Sequence, residues 1–364
     1  FFREKIDDVE LFKNLVKYKN FKSFALEAGI AECDKINRYI LYGEGSSIES
    51  LKFLGYGVWE IAEFINLIEW MKDYNDTIIN DNDKLEFYGI DCQKTHGIVG
   101  KIKKYLNKYS SLQNIETDKL LIDLLYMDNR VDRKMAKNII NPVNVLVDSI
   151  LLRIDGDDSY SLKEKSFIRF ELKSLIQKCE MDSKRDKKSY QLRAKYMAKN
   201  AVDIQQHLGK KAVLSAHNGH VFKIKSAKEM GFFIQDRIKK SYYSIGFDFK
   251  GGSITAFTMD SAYYYSRVLK FIENKEGSLS LKLGELSTED YFIDFRTLTK
   301  EKRELLNHKY YMHDIMGCFG NPWCNTTYWK VNPIHAYDGI LYVQETFPSN
   351  ILWKKRPIKG WKYE

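Results

Sequence analysis

The sequence predicts an α/β protein with a central mixed sheet, flanked by helices and interrupted by a large helical insertion. Two observations favour this class. Strand and helix patterns alternate over the first part of the chain, and residues 98–208 then carry helical patterns alone. Strand patterns return after residue 211. With 364 residues and 44% hydrophobic content, the chain can bury a core large enough for such a fold.

The alternation begins with helix, strand, helix and strand. Apolar side chains recur at helical spacing over residues 3–19 and again over residues 58–75, so both stretches are predicted to be amphipathic helices. Residues 21–27 and 85–91 are short runs rich in aromatic and aliphatic side chains, which predicts strands. This order is typical of a sheet whose strands are joined by helices.

The middle of the chain, residues 98–208, is predicted to be a helical insertion within a single hydrolase-like domain that covers residues 1–364. No strand pattern interrupts it, and no linker rich in Pro, Gly or Ser marks a domain boundary. Its predicted helices cover residues 102–108, 117–138, 161–178 and 190–208. The strands predicted after it cover residues 211–216, 242–249, 253–259, 290–295 and 339–344, with Gly251-Gly252 as a turn.

Charge, apolar run length and cysteine content indicate which partners and which location to expect. The net charge of +9 comes mostly from lysines in short, scattered stretches without a nucleic-acid recognition motif, so we interpret them as solvated surface and expect no nucleic-acid partner. Apolar runs such as residues 212–216 are far too short to cross a bilayer, and no membrane segment is expected. The five scattered cysteines form no Cys-x-x-Cys pair, which favours reduced thiols and a cytoplasmic location.

Three predicted strands end at an ionisable residue: Glu27, Asp91 and His217. In an open α/β sheet, ligands bind outside the carboxyl ends of the strands, where residues from several strands can converge. For one such residue alone, a helix cap or a loop hydrogen bond is the more ordinary role. The coincidence of three favours a functional cleft.

His217 and His220 are the strongest candidates for catalysis. They are two of seven histidines, and both closely follow a predicted strand. Histidine exchanges protons near neutral pH, so either ring can act as general base, general acid or oxyanion donor. Asn218 and Gly219, between them, permit a tight turn that would let the backbone approach a substrate closely.

A metal site is the competing hypothesis for the same residues. Two histidines and a carboxylate such as Glu27 could hold a divalent ion and leave one position open for water. The helical signature of zinc hydrolases, a five-residue segment in which two histidines enclose a glutamate, does not occur in the sequence. This favours a site without a metal ion.

Six segments of the chain resemble, in order, the erythromycin esterase family. They are Phe1–Lys5, Phe24–Gly29, Ile36–Ile40, Trp70–Asn75, Tyr88–Asp91 and Ala216–His220. Each segment is short, and the specificity comes from their order along most of the chain. The resemblance implies an erythromycin esterase-like fold and a hydrolase that opens a macrolide lactone or a related small-molecule ester, as bacterial antibiotic-resistance enzymes do.

The resemblance also implies roles for individual residues. Water would attack the ester without a covalent intermediate, an obligatory metal or a cofactor. Glu27 matches the second site carboxylate of the family, and His217 and His220 match its paired histidines. Glu27 would orient a histidine or the water. The residues expected to position these groups or the substrate are Lys5, Asp91 and Asn218.

The chain departs from the family at the catalytic base, which is a histidine in an N-terminal Gly-Glu-x-x-His motif. No such motif occurs here, since Gly43–Ser47 begins with Gly-Glu but ends in Ser and lies after Glu27. Because the sequence lacks an initiator Met, we expect the base-bearing segment to precede Phe1. The alternative is a catalytically inactive relative that binds small molecules on the same scaffold.

Overall fold

The computed structural model describes residues 2–3, 8–129, 132–259, 263–271, 275–314 and 327–357. The helices are α1 (Asp8–Lys19), α2 (Ile30–Tyr42), α3 (Ser47–Phe53), α4 (Ala62–Asp76), α5 (His96–Lys108), α6 (Ile115–Asn129), α7 (Arg133–Asp155), α8 (Leu162–Asp182), α9 (Asp186–Leu208), α10 (Asn218–Val221), α11 (Met230–Ile238), α12 (Leu279–Gly284), α13 (Lys300–Leu306) and α14 (Pro333–Ala336). The strands are β1 (Phe2–Arg3), β2 (Phe21–Gly29), β3 (Glu86–Asp91), β4 (Lys211–Ser215), β5 (Ile245–Met259), β6 (Tyr263–Phe271), β7 (Tyr291–Asp294), β8 (Tyr310–Asp314), β9 (Thr327–Val331), β10 (Gly339–Pro348) and β11 (Lys355–Pro357).

The chain divides into two compact units. The helix-rich unit comprises residues 20–55 and 68–216, and the strand-rich unit comprises residues 1–19, 56–67 and 217–364. The predicted α/β class is confirmed, and the described strands are distributed over three separate sheets. No helix in the described part of the chain is long and apolar enough to cross a membrane.

The helix-rich unit contains a parallel sheet with the strand order β3-β2-β4. Every residue of β3 is buried, as expected of a parallel strand with both faces covered. Phe24 of β2 stacks on Phe87 of β3, with ring centroids 5.5 Å apart. Leu26 of β2 stands opposite both Gly89 and Ser215, so the carboxyl ends of the three strands lie along one edge.

The described part of residues 98–208 contains helices and no strand, in agreement with the sequence pattern. The prediction of one helix over residues 117–138 is wrong, because α6 ends and α7 begins inside that stretch. Asp132 caps α7 by accepting a hydrogen bond from the Met135 backbone N–H at 2.9 Å. Helix α7 then continues across Pro142, and proline usually ends a helix, so the local pattern gave no sign of it.

The strand-rich unit contains a mixed sheet in the order β1-β10-β5-β6-β11, with β7 also paired to β10. Only β5 and β10 pair in parallel among these described strands. The predicted turn at Gly251-Gly252 is wrong, because β5 passes through both residues as one strand. Gly252 has a φ of +113°, and a Cβ there would lie 2.3 Å from the Thr346 carbonyl oxygen. The glycine therefore marks a close approach between strands.

Several elements of the strand-rich unit also differ from the prediction. Helix α1 begins at Asp8 and not at residue 3, and the backbone of residues 2–3 pairs antiparallel with β10. Strands β8 and β9 form an antiparallel pair of their own. The sequence pattern did not predict β6, β8, β9 or β11, because their aromatic and polar residues do not alternate as in a half-buried strand.

Candidate functional site

Glu27 and Asp91 lie together at the carboxyl-end edge of the three-stranded sheet, and Arg193 of α9 contacts both. Arg193 Nη2 donates to Glu27 Oε1 at 2.9 Å and to Asp91 Oδ2 at 2.7 Å. Arg193 Nε donates to Asp91 Oδ1 at 3.2 Å, and that oxygen also accepts the Cys92 backbone N–H at 2.7 Å. A shared guanidinium therefore holds the two carboxylates in place.

Burial makes this network rigid. Asp91 is 1% exposed and Arg193 is 9% exposed, and charges this far from water need partners. Helix α9 is held against β3, because Asn200 Nδ2 donates to the Ile90 carbonyl oxygen at 3.0 Å. The Glu27 side chain, at 12% exposure, is more accessible than that of Asp91. Glu27 is therefore the carboxylate of this network that solvent can reach more readily.

Arg193 was not among the residues selected from the sequence, although a signal was present. Buried residues of α9, including Met197, Ala201 and Ile204, recur at helical spacing, and Arg193 continues that series. An arginine on the buried face of a helix requires an anion beside it. Among the many cations of this chain, that position distinguishes Arg193 from the solvated lysines.

His217 and His220 lie at the start of α10 in the strand-rich unit. His217 caps the helix, since its Nδ1 accepts the Gly219 backbone N–H at 3.2 Å. His220 Nδ1 lies 3.3 Å from Glu229 Oε2, and because a carboxylate only accepts, this nitrogen carries the proton. These partners assign the proton of neutral His217 to Nε2 and that of neutral His220 to Nδ1. The Nε2 atom of His217 is therefore a donor, and the Nε2 atom of His220 is an acceptor.

Packing fixes the orientation of this turn. Trp329 lies against His217 with ring centroids 5.8 Å apart, and a Cβ at Gly219 would come within 1.8 Å of the Trp329 ring. The Asn218 side chain donates to the Phe247 carbonyl at 2.6 Å and accepts the Phe247 N–H at 3.0 Å. Asn218 therefore ties α10 to β5, and its contact with a substrate stays a prediction.

The residues predicted from the sequence divide between the units: Glu27 and Asp91 belong to the helix-rich unit, and His217, Asn218 and His220 to the strand-rich unit. Lys5 lies outside the described residues. Among the residues that the structure describes, no group of three or more His, Cys, Asp and Glu side chains is arranged to hold a metal ion. The catalytic roles of these residues stay predictions.

A third histidine, His96, lies buried at the start of α5 in the helix-rich unit. Its Nε2 donates to the Phe53 carbonyl at 2.8 Å, and its Nδ1 lies 3.4 Å from Asp128 Oδ2 and 3.7 Å from Glu32 Oε1. Burial opposes the charged form of His96, but the nearby carboxylates of Asp128 and Glu32 outweigh it, so the pKa of His96 is raised. Burial likewise raises the pKa of Glu32. The cluster joins α2, α5 and α6.

Three solved structures resemble this fold. One is described as a succinoglycan biosynthesis protein, with a TM-score of 0.76, 23% identity, and coverage of 94% of this chain and 84% of that chain. A protein from Bacillus cereus has a TM-score of 0.77, 21% identity, and coverage of 95% and 86%. A mutant erythromycin esterase in its open conformation has a TM-score of 0.62, 16% identity, and coverage of 93% and 86%. At these identities the likeness shows the fold alone.

Sequence comparison identifies the family. A search of curated proteins gave no match. The profile of the erythromycin esterase family, in contrast, matches residues 16–346, a span that includes β2, β3, α9 and the histidines of α10. This span is most of the chain and includes five of the six segments that resemble the family, all except Phe1–Lys5. The chain therefore belongs to the erythromycin esterase family.

Proposed function

We propose that this protein is a carboxylic ester hydrolase that cleaves an ester or a macrolide lactone with an activated water molecule and without a covalent intermediate. Family membership supports this proposal. The observation that carries it is the difference between the Nδ1 partners of His217 and His220, a backbone N–H and a carboxylate. Attack on a carbonyl needs a donor for the developing oxyanion and an acceptor for the proton of water. The two Nε2 atoms supply one of each.

In this mechanism His217 and His220 have different tasks, and His220 takes the role of base that the family resemblance assigns to an N-terminal histidine. His217 Nε2–H donates to the carbonyl oxygen, which gains negative charge as the tetrahedral intermediate forms. His220 Nε2 accepts a proton from the water, and Glu229 at 3.3 Å stabilises the imidazolium that results. The ring centroids of the two histidines are 6.3 Å apart, so both rings are close enough to act on one ester group.

The carboxylates enter the proposal through the family resemblance. The role of Glu27 in hydrolysis stays a prediction from that resemblance, and Arg193 would set the direction of the Glu27 carboxylate through the 2.9 Å hydrogen bond. Asp91, Lys5 and Asn218 would help to position these groups or the substrate. In a bacterium, such an enzyme in the cytoplasm would inactivate macrolides and so confer resistance.

The test is the hydrolysis of macrolides of different ring size, and of simple esters, by His217→Ala and His220→Ala variants of the full chain. We expect each substitution to lower kcat by at least about 100-fold, as the loss of a general base or oxyanion donor does. His335→Ala is the matched control, because His335 is exposed on α14 of the same unit. Normal turnover by both variants would show that the histidines are not catalytic.

A Glu229→Gln variant separates the two tasks. Glutamine still accepts the His220 Nδ1–H but carries no charge, so it keeps the tautomer and stabilises the imidazolium less. We expect a lower kcat, and we expect the rise of kcat with pH to begin at lower pH, because His220 without the charge beside it loses its proton more easily. An unchanged pH profile would show that His220 is not the base.

Activity lost with a chelator and restored by a divalent ion would instead support the metal hypothesis.

A further inference from the structure

Asp248, His313 and Tyr328 of the strand-rich unit form a hydrogen-bonded series that the proposed hydrolysis does not use. His313 Nδ1 lies 2.6 Å from Asp248 Oδ1 and therefore donates to it. His313 Nε2 lies 3.5 Å from the Tyr328 hydroxyl oxygen. In the neutral ring with Nδ1 protonated, Nε2 is an acceptor, so the phenol donates. The series runs from carboxylate to imidazole to hydroxyl, the order found in hydrolytic triads.

The first two members of this series are buried and held in place. Asp248 is 1% exposed and His313 is 6% exposed. His313 stacks on Phe249, with ring centroids 4.1 Å apart, and the Tyr328 ring is tilted against it with centroids 4.9 Å apart. Asp248 Oδ2 has no hydrogen-bond partner among the described residues. Burial and then the charge of Asp248 raise the pKa of Tyr337.

Tyr328 is only half-buried, and a backbone N–H and a lysine lie beside it. Its oxygen accepts the Lys275 backbone N–H at 3.2 Å, a contact that would stabilise a phenolate. Lys275 Nζ lies 5.8 Å from the centre of the Tyr328 ring and 3.7 Å from that of Tyr311, and Lys330 Nζ lies 5.3 Å from Tyr311. Two exposed lysines therefore give this surface a positive potential that attracts anions.

We propose that Asp248, His313 and Tyr328 form a second reactive centre, whose phenol attacks acyl donors that carry a carboxylate. The Tyr328 oxygen forms a bond to the acyl carbon, and the bond from that carbon to the leaving group breaks and leaves its electron pair on the leaving group. The phenolic proton passes to His313 Nε2. The products are a tyrosyl ester and an imidazolium paired with Asp248, while Lys275 and Lys330 attract the carboxylate of the donor.

A stable probe of this chemistry is an aryl sulfonyl fluoride that carries a carboxylate. Its sulfur takes the place of the acyl carbon, fluoride leaves, and the adduct can be located by peptide mapping. Tyr311 is the matched control, because its ring centroid is 6.3 Å from that of Tyr328 and it contacts the same lysines. We expect Tyr328 to react at least about 100-fold faster than Tyr311 near neutral pH, as general-base assistance predicts. A probe with an uncharged amide should react more slowly with Tyr328, and added salt should reduce that difference.

An Asp248→Asn variant tests the series itself. The new amide can donate to His313 Nδ1, which shifts the ring proton to Nε2 and removes the acceptor for the phenol. Labelling of Tyr328 should fall by about 100-fold, whereas labelling of Tyr311 should not change.

Two results would overturn the proposal. Equal labelling of Tyr328 and Tyr311 in the wild-type protein would show that the phenol is not activated, and this comparison needs no variant to fold. Unchanged Tyr328 labelling in a folded Asp248→Asn variant would show that the series only holds β8 and β9 against β5. The labelling of Tyr328 does not involve His217 or His220. Its result therefore tests this proposal independently of the proposed hydrolysis.

Discussion

Replacing Arg193 by methionine tests the network that holds Glu27 and Asp91. Methionine preserves much of the apolar bulk but removes the cation that contacts these carboxylates at 2.9 and 2.7 Å. Asp91 is 1% exposed, so its charge would lose a partner without gaining water. Removing one member of a buried ion pair costs about 3–5 kcal/mol, and we expect the free energy of unfolding to fall by that amount at about pH 8.

Coulomb's law gives the same magnitude. Opposite unit charges about 4 Å apart at an effective dielectric constant of about 20 attract each other by roughly 4 kcal/mol. The Cys92 backbone N–H, at 2.7 Å from Asp91 Oδ1, remains in the variant and offsets part of the loss. Acid should offset more, because protonation of either carboxyl group removes an unpaired charge. The destabilisation should therefore be smaller at about pH 5 than at about pH 8.

Urea unfolding of the wild-type protein and of matched arginine variants at the two pH values measures this effect. Arg169→Met is the control, because Arg169 Nη2 contacts both Asp155 carboxylate oxygens at 2.8 Å in the same unit. Those side chains are 38% and 49% exposed, and such pairs contribute at most about 1 kcal/mol. The reasoning is refuted if Arg193→Met costs no more than Arg169→Met, or if its cost is the same at both pH values.

Three further predictions follow from burial and space. The pKa of His96 is raised on folding, so its stabilising contribution is complete below its unfolded pKa of about 6.5 and is lost as pH rises through the folded-state pKa. Urea unfolding across this pH range should show that loss in the wild-type protein, and the reasoning is wrong if His96→Asn shows it equally. Gly219→Ala should destabilise the protein by about 1–3 kcal/mol and reduce hydrolysis, because its Cβ would overlap the Trp329 ring; an unchanged melting temperature would contradict this. Gly100→Ala, with open space around the new Cβ in α5, should stabilise by about 0.5–1 kcal/mol in the same thermal unfolding experiment, and a decrease would contradict the helix assignment.

Features that depend on local spacing could be predicted from the sequence. The apolar runs at residues 21–27 and 85–91 become β2 and β3, and the described part of residues 98–208 is free of strands. Glu27 and Asp91 were recognised as neighbours because parallel strands place their carboxyl ends on one edge. Each inference uses a periodicity or a strand end that spans only a few residues.

Local signals failed where packing reversed their usual meaning. Proline normally ends a helix, yet α7 continues across Pro142. Val143, Val147 and Ile150, which follow it, are buried in the core of the helix-rich unit. A Gly-Gly pair normally marks a turn, yet β5 continues through Gly252. The glycine has no side chain, so the β10 backbone can lie close to it. Neither outcome is encoded within a short window, since both depend on the element that packs against the residue.

The sequence by itself determined the family, the class of fold and the residue types at the strand ends. Only the tertiary structure decided which charges meet: Arg193 pairs with Glu27, 166 residues away, and with Asp91, 102 residues away. Glu229 likewise reaches His220 because α11 packs against α10. The physical reason is burial, because a lysine or arginine in water needs no particular partner, whereas a buried charge is stable only beside its opposite.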